Sequence, residues 1–397
     1  MPKLASIFGL LETLESEHIT VQQSRCAVVR NKNASCMKCA EACTSGCIAI
    51  VDDQLVITLE NCIGCGTCAT VCPTCALDTH NPDDSTLLQA IQKAIEATQG
   101  ELIITCEQNI SEDSDIKDPE RLIVLTCLGR MEETLLTSAV LAGATKISLV
   151  KADCVACRYS TGLTTAQAVC ATTNTLLAAW NSATQVEITD ALPPAAFAES
   201  DAGYDAGKRE FFTGLFKDAK TTALDFAANK TLGEMKQETN KPEEKPRYLK
   251  VDKDGVLPRF LPPRRENLLK NLVALGTPQD ILVDTRLFGH AIIDLELCDS
   301  CQMCATFCPT GALSKFKSPD GTFGLYCIPS ICVKCRCCTD ICNAKAITLS
   351  EEVFAVDIPQ LAKERIVLKP LKRPIGGPNS IHNTMKYKFG IDEIYER

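Results

Sequence analysis

Twenty-five of the 397 residues are cysteine, and three runs of them share one spacing. They are Cys62-x2-Cys65-x2-Cys68-x3-Cys72-Pro73, Cys298-x2-Cys301-x2-Cys304-x3-Cys308-Pro309 and Cys332-x2-Cys335-x2-Cys338-x3-Cys342-Asn343. In this spacing three close thiolates grip the corners of one [4Fe–4S] cubane and the fourth reaches across to a neighbouring cluster. The tight x2 loops turn backbone N–H groups toward the sulfides, and a proline after the fourth cysteine stops the chain from continuing a ladder. Zinc ribbons use paired C-x2-C knuckles instead. Three copies in one chain leave no room for coincidence.

A fourth motif is altered. Residues 26–50 hold Cys26, Cys36, Cys39, Cys43 and Cys47, and Cys36-x2-Cys39-x3-Cys43-x3-Cys47 has one residue too many in its second gap. The residues just after the fourth cysteine of the regular runs supply a frame: CPTCAL from 72, CPTGAL from 308 and CNAKAI from 342. CTSGCI from 43 fits it, with Cys43 in the bridging place and Cys47 in the alanine place. Cys36 and Cys39 then become the second and third ligands, and position 33, where the first belongs, is Asn. Cys26, on a longer loop, is the favoured replacement; Cys47 is the alternative.

The crosswise rule then groups sixteen cysteines into four [4Fe–4S] sites. The first pair is Cys26, Cys36, Cys39 with Cys72, and Cys62, Cys65, Cys68 with Cys43. The second is Cys298, Cys301, Cys304 with Cys342, and Cys332, Cys335, Cys338 with Cys308. Both ends of the chain in this way resemble two-cluster bacterial ferredoxins. Cys75, Cys327 and Cys337 are left over, and read as small buried residues.

The elements between the two ends belong to another class. Asn81-Pro-Asp-Asp-Ser85 is a turn and N-cap cluster opening a helix whose face is Leu87, Leu88, Ile91, Ala94 and Ile95, closed by Gly100. Leu102–Cys106, Leu122–Cys127 and Ile147–Val150 are short aliphatic runs typical of buried parallel strands, separated by a helix from about Met131 to Ala142. A further helix to Trp180 and a strand near Val186 complete an α/β alternation. Cys106 and Cys127 end two strands, and Cys154 and Cys157 follow the third, so four thiols converge where ligands of a parallel sheet bind. That points to a further central centre, a [2Fe–2S] cluster ahead of zinc or another cubane. Cys170, on a helix, reads as a core cysteine.

Cys127-Leu-Gly-Arg130, Ala142-Gly-Ala144, Cys154-Val-Ala-Cys157-Arg-Tyr159 and Gly162 resemble the iron–sulfur delta subunit of methyl-viologen-reducing hydrogenase. The resemblance covers about 60 residues. It implies a [2Fe–2S] centre and electron transfer to heterodisulfide-reductase-type partners. Cys106-Glu-Gln-Asn departs from that family's cysteine-richer loop, so Cys106 is its weakest match.

The expected fold is therefore multidomain, α+β and α/β: a ferredoxin-like module over 1–80, an α/β parallel-sheet domain over 81–190, a partly helical linker over 191–290, a second ferredoxin-like module over 291–350 and an extended tail over 351–397. Lys241–Pro246 mark the linker as a connector. A basic spot at Arg259, Arg264, Arg265 and Lys270 is a candidate docking surface, and the tail, with Pro374–Pro378, is a candidate for wrapping a partner.

Composition narrows the function. A formal charge of −9, which four clusters of about −2 each would take to roughly −17, disfavours nucleic acid. No stretch approaches the roughly 18 apolar residues of a membrane span, although peripheral association remains open, and clustered thiols point to the reducing cytoplasm. No nucleotide-binding glycine fingerprint is present, and His18, His80, His290 and His382 offer no nucleophile a credible base. The expected function is an iron–sulfur electron-transfer subunit of anaerobic metabolism, an oxidoreductase component with no catalytic residue of its own. Its expected partner is a hydrogenase, a molybdenum or tungsten formate-dehydrogenase-type enzyme, or a flavin or heterodisulfide-reductase-type enzyme. The alternatives are an oxidoreductase acting on a disulfide at the central cysteines, and a redox sensor or assembly protein.

Overall fold

Short apolar runs flanking cysteine loops fold the N-terminal segment into β1 (Ile19–Val21), α1 (Ala27–Arg30), α2 (Lys38–Glu41), β2 (Ile48–Val51), β3 (Gln54–Ile57), α3 (Thr67–Val71) and β4 (Leu77–Thr79). The structure is a computed structural model that describes residues 18–80, 82–110, 116, 118–197 and 256–370. β1 pairs antiparallel with β4, and β2 with β3. The two-residue turn of that hairpin, Asp52-Asp53, has φ of 50° and 63°, the left-handed geometry that matches strand twist.

The central domain runs α4 (Asp84–Ala97), β5 (Glu101–Cys106), β6 (Leu122–Leu125), α5 (Glu133–Leu141), β7 (Lys146–Val150), α6 (Thr161–Ala179) and β8 (Gln185–Thr189). Its four strands are all parallel in the order β6-β5-β7-β8. Alternation divides the sheet: Leu102, Ile104, Ile147 and Leu149 pack with apolar residues of α4, α5 and α6, while Ile103 and Val150 pack with Leu122 and Ala196. Asp83 caps α4 by accepting the Thr86 N–H at 2.7 Å. Leu88, expected on the buried stripe of α4, is 36% exposed because it lies at the stripe's edge.

α7 (Pro263–Leu275) and β9 (Leu282–Asp284) precede the C-terminal module of β10 (His290–Ile293), α8 (Met303–Phe307), β11 (Leu313–Lys317), β12 (Phe323–Cys327), α9 (Cys337–Ile341) and β13 (Ile347–Ser350). The pairs β10–β13 and β11–β12 repeat the pairings of the N-terminal module. β14 (Glu352–Phe354), α10 (Asp357–Gln360) and β15 (Glu364–Val367) come after them, with β14 pairing β9 and β15 adding to β12.

Two expectations change here. Residues 256–290 are not a connector: Leu268 and Leu272 of α7 join Leu176 of α6, Trp180 just after it, Phe288, Val353 and Ile358 in one core. Residues 351–370 are not a free extension, because β14 and β15 complete sheets. The Lys241–Pro246 and Pro374–Pro378 segments lie outside the described residues. Among the described residues no helix is long and apolar enough to cross a membrane.

Polar contacts join the three units. Arg286 holds Glu133 through Nε and Nη2 at 2.5 and 2.6 Å, Asn271 donates to Ser138 Oγ at 2.8 Å, and Ser35 donates to Asp340 through both its amide and hydroxyl at 2.8 and 3.0 Å. Phe288, fully buried in the shared core, lies under the Arg265 guanidinium at 4.2 Å. Phe288→Ala should therefore cost about 3–5 kcal/mol in chemical denaturation; a loss under about 1 kcal/mol would show that the shared core does not hold the units together.

Candidate metal centres

Backbone winding is the same in the three regular runs. The residue two after the first cysteine and the one just after the second are left-handed: Gly64 and Gly66, Ser300 and Gln302, Lys334 and Arg336, with φ between 50° and 74°. This winding aims amides at sulfur. Ser300 N–H donates to Cys298 Sγ at 3.3 Å, and the amides of Met303, Lys334 and Cys337 face Cys301, Cys332 and Cys335. In the altered run Met37 has φ of −122° and Ser35 is not left-handed, so its loop is wound differently. Even so, Cys36 receives the Lys38 amide, and Cys26 receives those of Val28 and Val29.

After the fourth cysteine all four runs agree. The third residue on is left-handed, at Gly46, Cys75, Gly311 and Lys345. The next amide turns back to the sulfur: Ala76 to Cys72 at 3.2 Å, Ala346 to Cys342 at 3.3 Å, and Cys47 to Cys43. At Cys308 the donor is Leu313, one residue later, at 3.4 Å.

The sulfurs gather crosswise. Burial, then Cys72, Cys26 and Cys36, push the Cys39 thiol up to about 12. Burial, with Cys72 and Cys26 adding, takes Cys36 to about 11 despite the Lys38 amide. Cys68 is raised by burial, then by Cys65 and Cys62, with Cys39 and Cys43 behind them. In the C-terminal module Cys304 is raised by burial and by Cys301, Cys298 and Cys342. Cys338 is raised by burial and by Cys335, Cys332 and Cys308, with Cys304 further off. Cys47, at about 12 through burial, stands beside Cys43 at 3.5 Å and near Cys62.

Thiols so placed cannot all ionise around empty space, whereas a bound metal removes that penalty. Two cavities are lined by such sets. One is lined by Cys298, Cys301, Cys304 and Cys342 under Leu325 and Ile347; the other by Cys308, Cys332, Cys335 and Cys338, with Cys327 and Cys337 at its edge. Hydroxyls at Thr67, Ser300 and Ser330, each within two residues of a cysteine in these sets, are buried without a hydrogen-bond partner. Such groups suit the sulfide-rich surface of an iron–sulfur cluster.

Sequence reading missed Arg30 and placed Arg265 on a docking surface; both are buried cations. Arg30 is 2% exposed; it donates to the Ser24 and Pro258 carbonyls at 3.0 and 2.6 Å, and its Nε has no partner. Burial lowers its pKa, opposed by Cys337, Cys308 and Cys335. Arg265 donates to the carbonyls of Ser330, Cys332 and Leu287, and burial pulls it down to about 10 against the pull of Cys332. Nothing in the spacing marks either residue. Arg264, assigned to the same docking surface, is half-buried and bonded to Asp84 and the Ala69 carbonyl, so that surface is not available there.

At the central sheet Cys106 ends β5, and Cys127 and Cys154 come after β6 and β7. The order β6-β5-β7 makes this edge a topological switch point, where α/β sheets bind ligands. Burial takes Cys127 to about 12 despite the Gly129 amide at 3.4 Å, with Cys65, Cys106 and Cys157 adding. Cys154 is raised by burial and by Cys106 and Cys157. The Tyr159 amide donates to Cys157 at 3.4 Å. Gly162 allows the close approach here, since a Cβ on it would lie 2.1 Å from the Cys127 sulfur. Cys170 instead donates to the Val186 carbonyl at 3.0 Å, away from this group.

Residues 55–77 and 291–314 each match the family model of the 4Fe-4S binding domain. These two segments are ferredoxin-type iron–sulfur domains. They contain Cys62–Cys72 and Cys298–Cys308, and they support an iron–sulfur electron-transfer role. No curated protein and no solved structure matches the chain.

The placement of Cys26 with Cys36, Cys39 and Cys72 has a direct consequence. Cys26→Ser should lower the iron of the anaerobically purified chain by about one cubane, four atoms, while Cys47→Ser leaves it unchanged. The reverse pattern would move the fourth ligand to Cys47.

Proposed function

We propose that the chain is an electron-relay subunit holding four [4Fe–4S] clusters on the sixteen crosswise cysteines and a fifth centre, of the [2Fe–2S] kind, on Cys106, Cys127, Cys154 and Cys157. Each bound cluster would supply a site that accepts and releases one electron. The chain's residues supply thiolates, amides aimed at them, and a dry interior.

The observation that carries this reading is the serial adjacency of the sulfur sets. The Cys298 set neighbours the Cys332 set through Cys304 and Cys338. Lys38 lies between Cys36 and Cys335, so the Cys332 set neighbours the Cys26 set across the module seam. Cys39 and Cys68 join the two N-terminal sets, and Cys65 and Cys127 join the N-terminal module to the central sheet. Five sets, each neighbouring the next, make a continuous path through the described residues, which a sensor or an assembly protein would not need.

One end of that path is open. Cys154 and Cys157 flank Val155, which is 94% exposed. An apolar tip beside the last pair of thiols suits docking of a redox-enzyme subunit, and the resemblance to the hydrogenase delta subunit favours a heterodisulfide-reductase-type partner. The reducing cytoplasm is the compartment in which these thiols would load.

Two measurements test the reading. The anaerobically purified chain should carry about 18 iron atoms, and replacing Cys154 and Cys157 together by serine should remove one spectroscopically distinct centre while the cubane signals persist. An unchanged iron count and spectrum would refute the central centre. Arg30→Met removes a buried cation facing Cys308 and Cys335 while keeping most of the side-chain volume. It should lower the midpoint potential of the centre that is lost in Cys335→Ser, because a cation stabilises the more negative reduced form; Arg30→Lys should not. Equal potentials in all three proteins would detach Arg30 from that centre.

A further inference from the structure

Three ligand-type side chains that no cysteine run uses meet at the edge of the C-terminal module. Cys327 ends β12, and Glu364, which opens β15, is its direct cross-strand partner. His290 opens β10, which belongs to the separate sheet with β13. The Cys327 sulfur, a His290 ring nitrogen and a Glu364 oxygen all lie within 4.8 Å of one another, with His290 Nε2 at 2.5 Å from Glu364 Oε2.

The spacing suits a small tetrahedral ion. Bonds of about 2.0–2.3 Å to zinc place its ligand atoms about 3.3–3.8 Å apart, so the His–Glu contact need open by only about 1 Å and the thiol need close by about as much. Thiolate, imidazole and carboxylate together are the donor set of a borderline cation rather than of calcium or magnesium. Access is one-sided: Cys327 is 1% exposed, while the side chains of His290 and Glu364 are 34% and 50% exposed. An ion can therefore enter from solvent and keep a water in its fourth position.

The surroundings of the sulfur also fit a ligand. The Ala291 amide points at Cys327, a donor of the kind that steadies a metal-bound thiolate. In the free chain burial, with Glu364 and Cys308 adding, pushes this thiol up to about 11. The thiol lies beside the His290–Glu364 contact, and a divalent cation bound there would displace its proton. Cys170, a cysteine with an ordinary structural role, meets one backbone carbonyl and one Asn instead.

We propose that His290, Cys327 and Glu364 form a mononuclear site for a zinc-class divalent cation. The ion would tie β10 to the β11-β12-β15 sheet, which have no ladder between them, and so fasten the strand with which the described chain ends. The site uses none of the sixteen crosswise cysteines and stands whether or not the relay reading does.

The test is metal analysis of the full chain, purified anaerobically with a tag free of histidine from medium containing iron and zinc, and dialysed against a weak chelator. Wild type should hold about one zinc per chain, with one sulfur and otherwise nitrogen and oxygen neighbours in zinc X-ray absorption. Cys327→Ser and His290→Gln should each lose that zinc with iron unchanged. Because Cys327 borders the cavity at Cys308, loss of iron in the serine variant would leave His290→Gln to decide. Substoichiometric zinc in wild type, or zinc retained in His290→Gln, overturns the proposal; iron measured in the same samples reports separately on the clusters.

Discussion

Sulfur anions buried within reach of one another repel, and each one that leaves water without a counter-charge costs several kcal/mol. The architecture is arranged around that cost. Cysteines 36, 39, 127 and 332 sit where burial and neighbouring sulfurs hold the thiols at about 11 to 12, well above the ordinary value. Left-handed turns bring amides to the sulfurs as partial positive charge. Arg30 and Arg265 bring full positive charge into the interior, and each is held by carbonyls rather than by a carboxylate. A buried arginine with only carbonyl partners is itself expensive, so thiols and arginines each explain the presence of the other.

The same cations join the modules. Arg30 begins in the N-terminal module and reaches the Pro258 carbonyl, with its charge facing Cys308, Cys335 and Cys337 of the C-terminal one. Arg264 and Arg265 open α7, packed on the central domain, and reach Ala69 on one side and Ser330 on the other. Removing the modules from one another would therefore expose carbonyls, strand guanidinium groups and uncover sulfur sets together. The three units form one electrostatic object, although the sequence divides them cleanly by pattern.

That division explains what the sequence could and could not disclose. Spacing is local, so the repeated x2-x2-x3 rhythm and the residues after the fourth cysteine suffice to suggest a frame for Cys43 and Cys47. The left-handed residue at the same offset in all four runs is the structural counterpart of that rhythm. The aliphatic runs of the central domain disclosed its strands for the same reason, since four to six buried residues bounded by breakers leave few other conformations. Tertiary partners left no such trace. Pro262-Pro-Arg-Arg265 has the composition of a connector, and only the facing core of Trp180, Phe288 and Val353 makes α7 a packed helix. β14 and β15 are four residues or shorter and take their order from strands that precede them by tens of residues. Leu88 shows the limit even inside a good helix, where one position at the edge of the stripe separates core from solvent.

The distribution of charge within the C-terminal module adds a constraint on any relay through it. The two sets there are alike in spacing, turn geometry and amide donors, yet their surroundings differ in sign. Asp299 adds to the elevation of Cys301, and the cavity of that set is lined by apolar residues, Asp299, Gln302 and Asn343, with no cation among its lining residues. The other set has Arg30 and Arg265 against it and Lys38 beside Cys335. Added negative charge is stabilised where cations are buried and penalised where a carboxylate stands, and low local dielectric enlarges both effects. On the relay reading an electron would be held more firmly at the seam than at the outer set. The seam is where two modules meet, and Arg30, Lys38 and Arg265 bring charge to it from the other units, beside the module's own Arg336. A C-terminal module on its own would lack Arg30, Lys38 and Arg265, so the gradient belongs to the assembled chain rather than to the ferredoxin-type domain that its cysteine spacing announces.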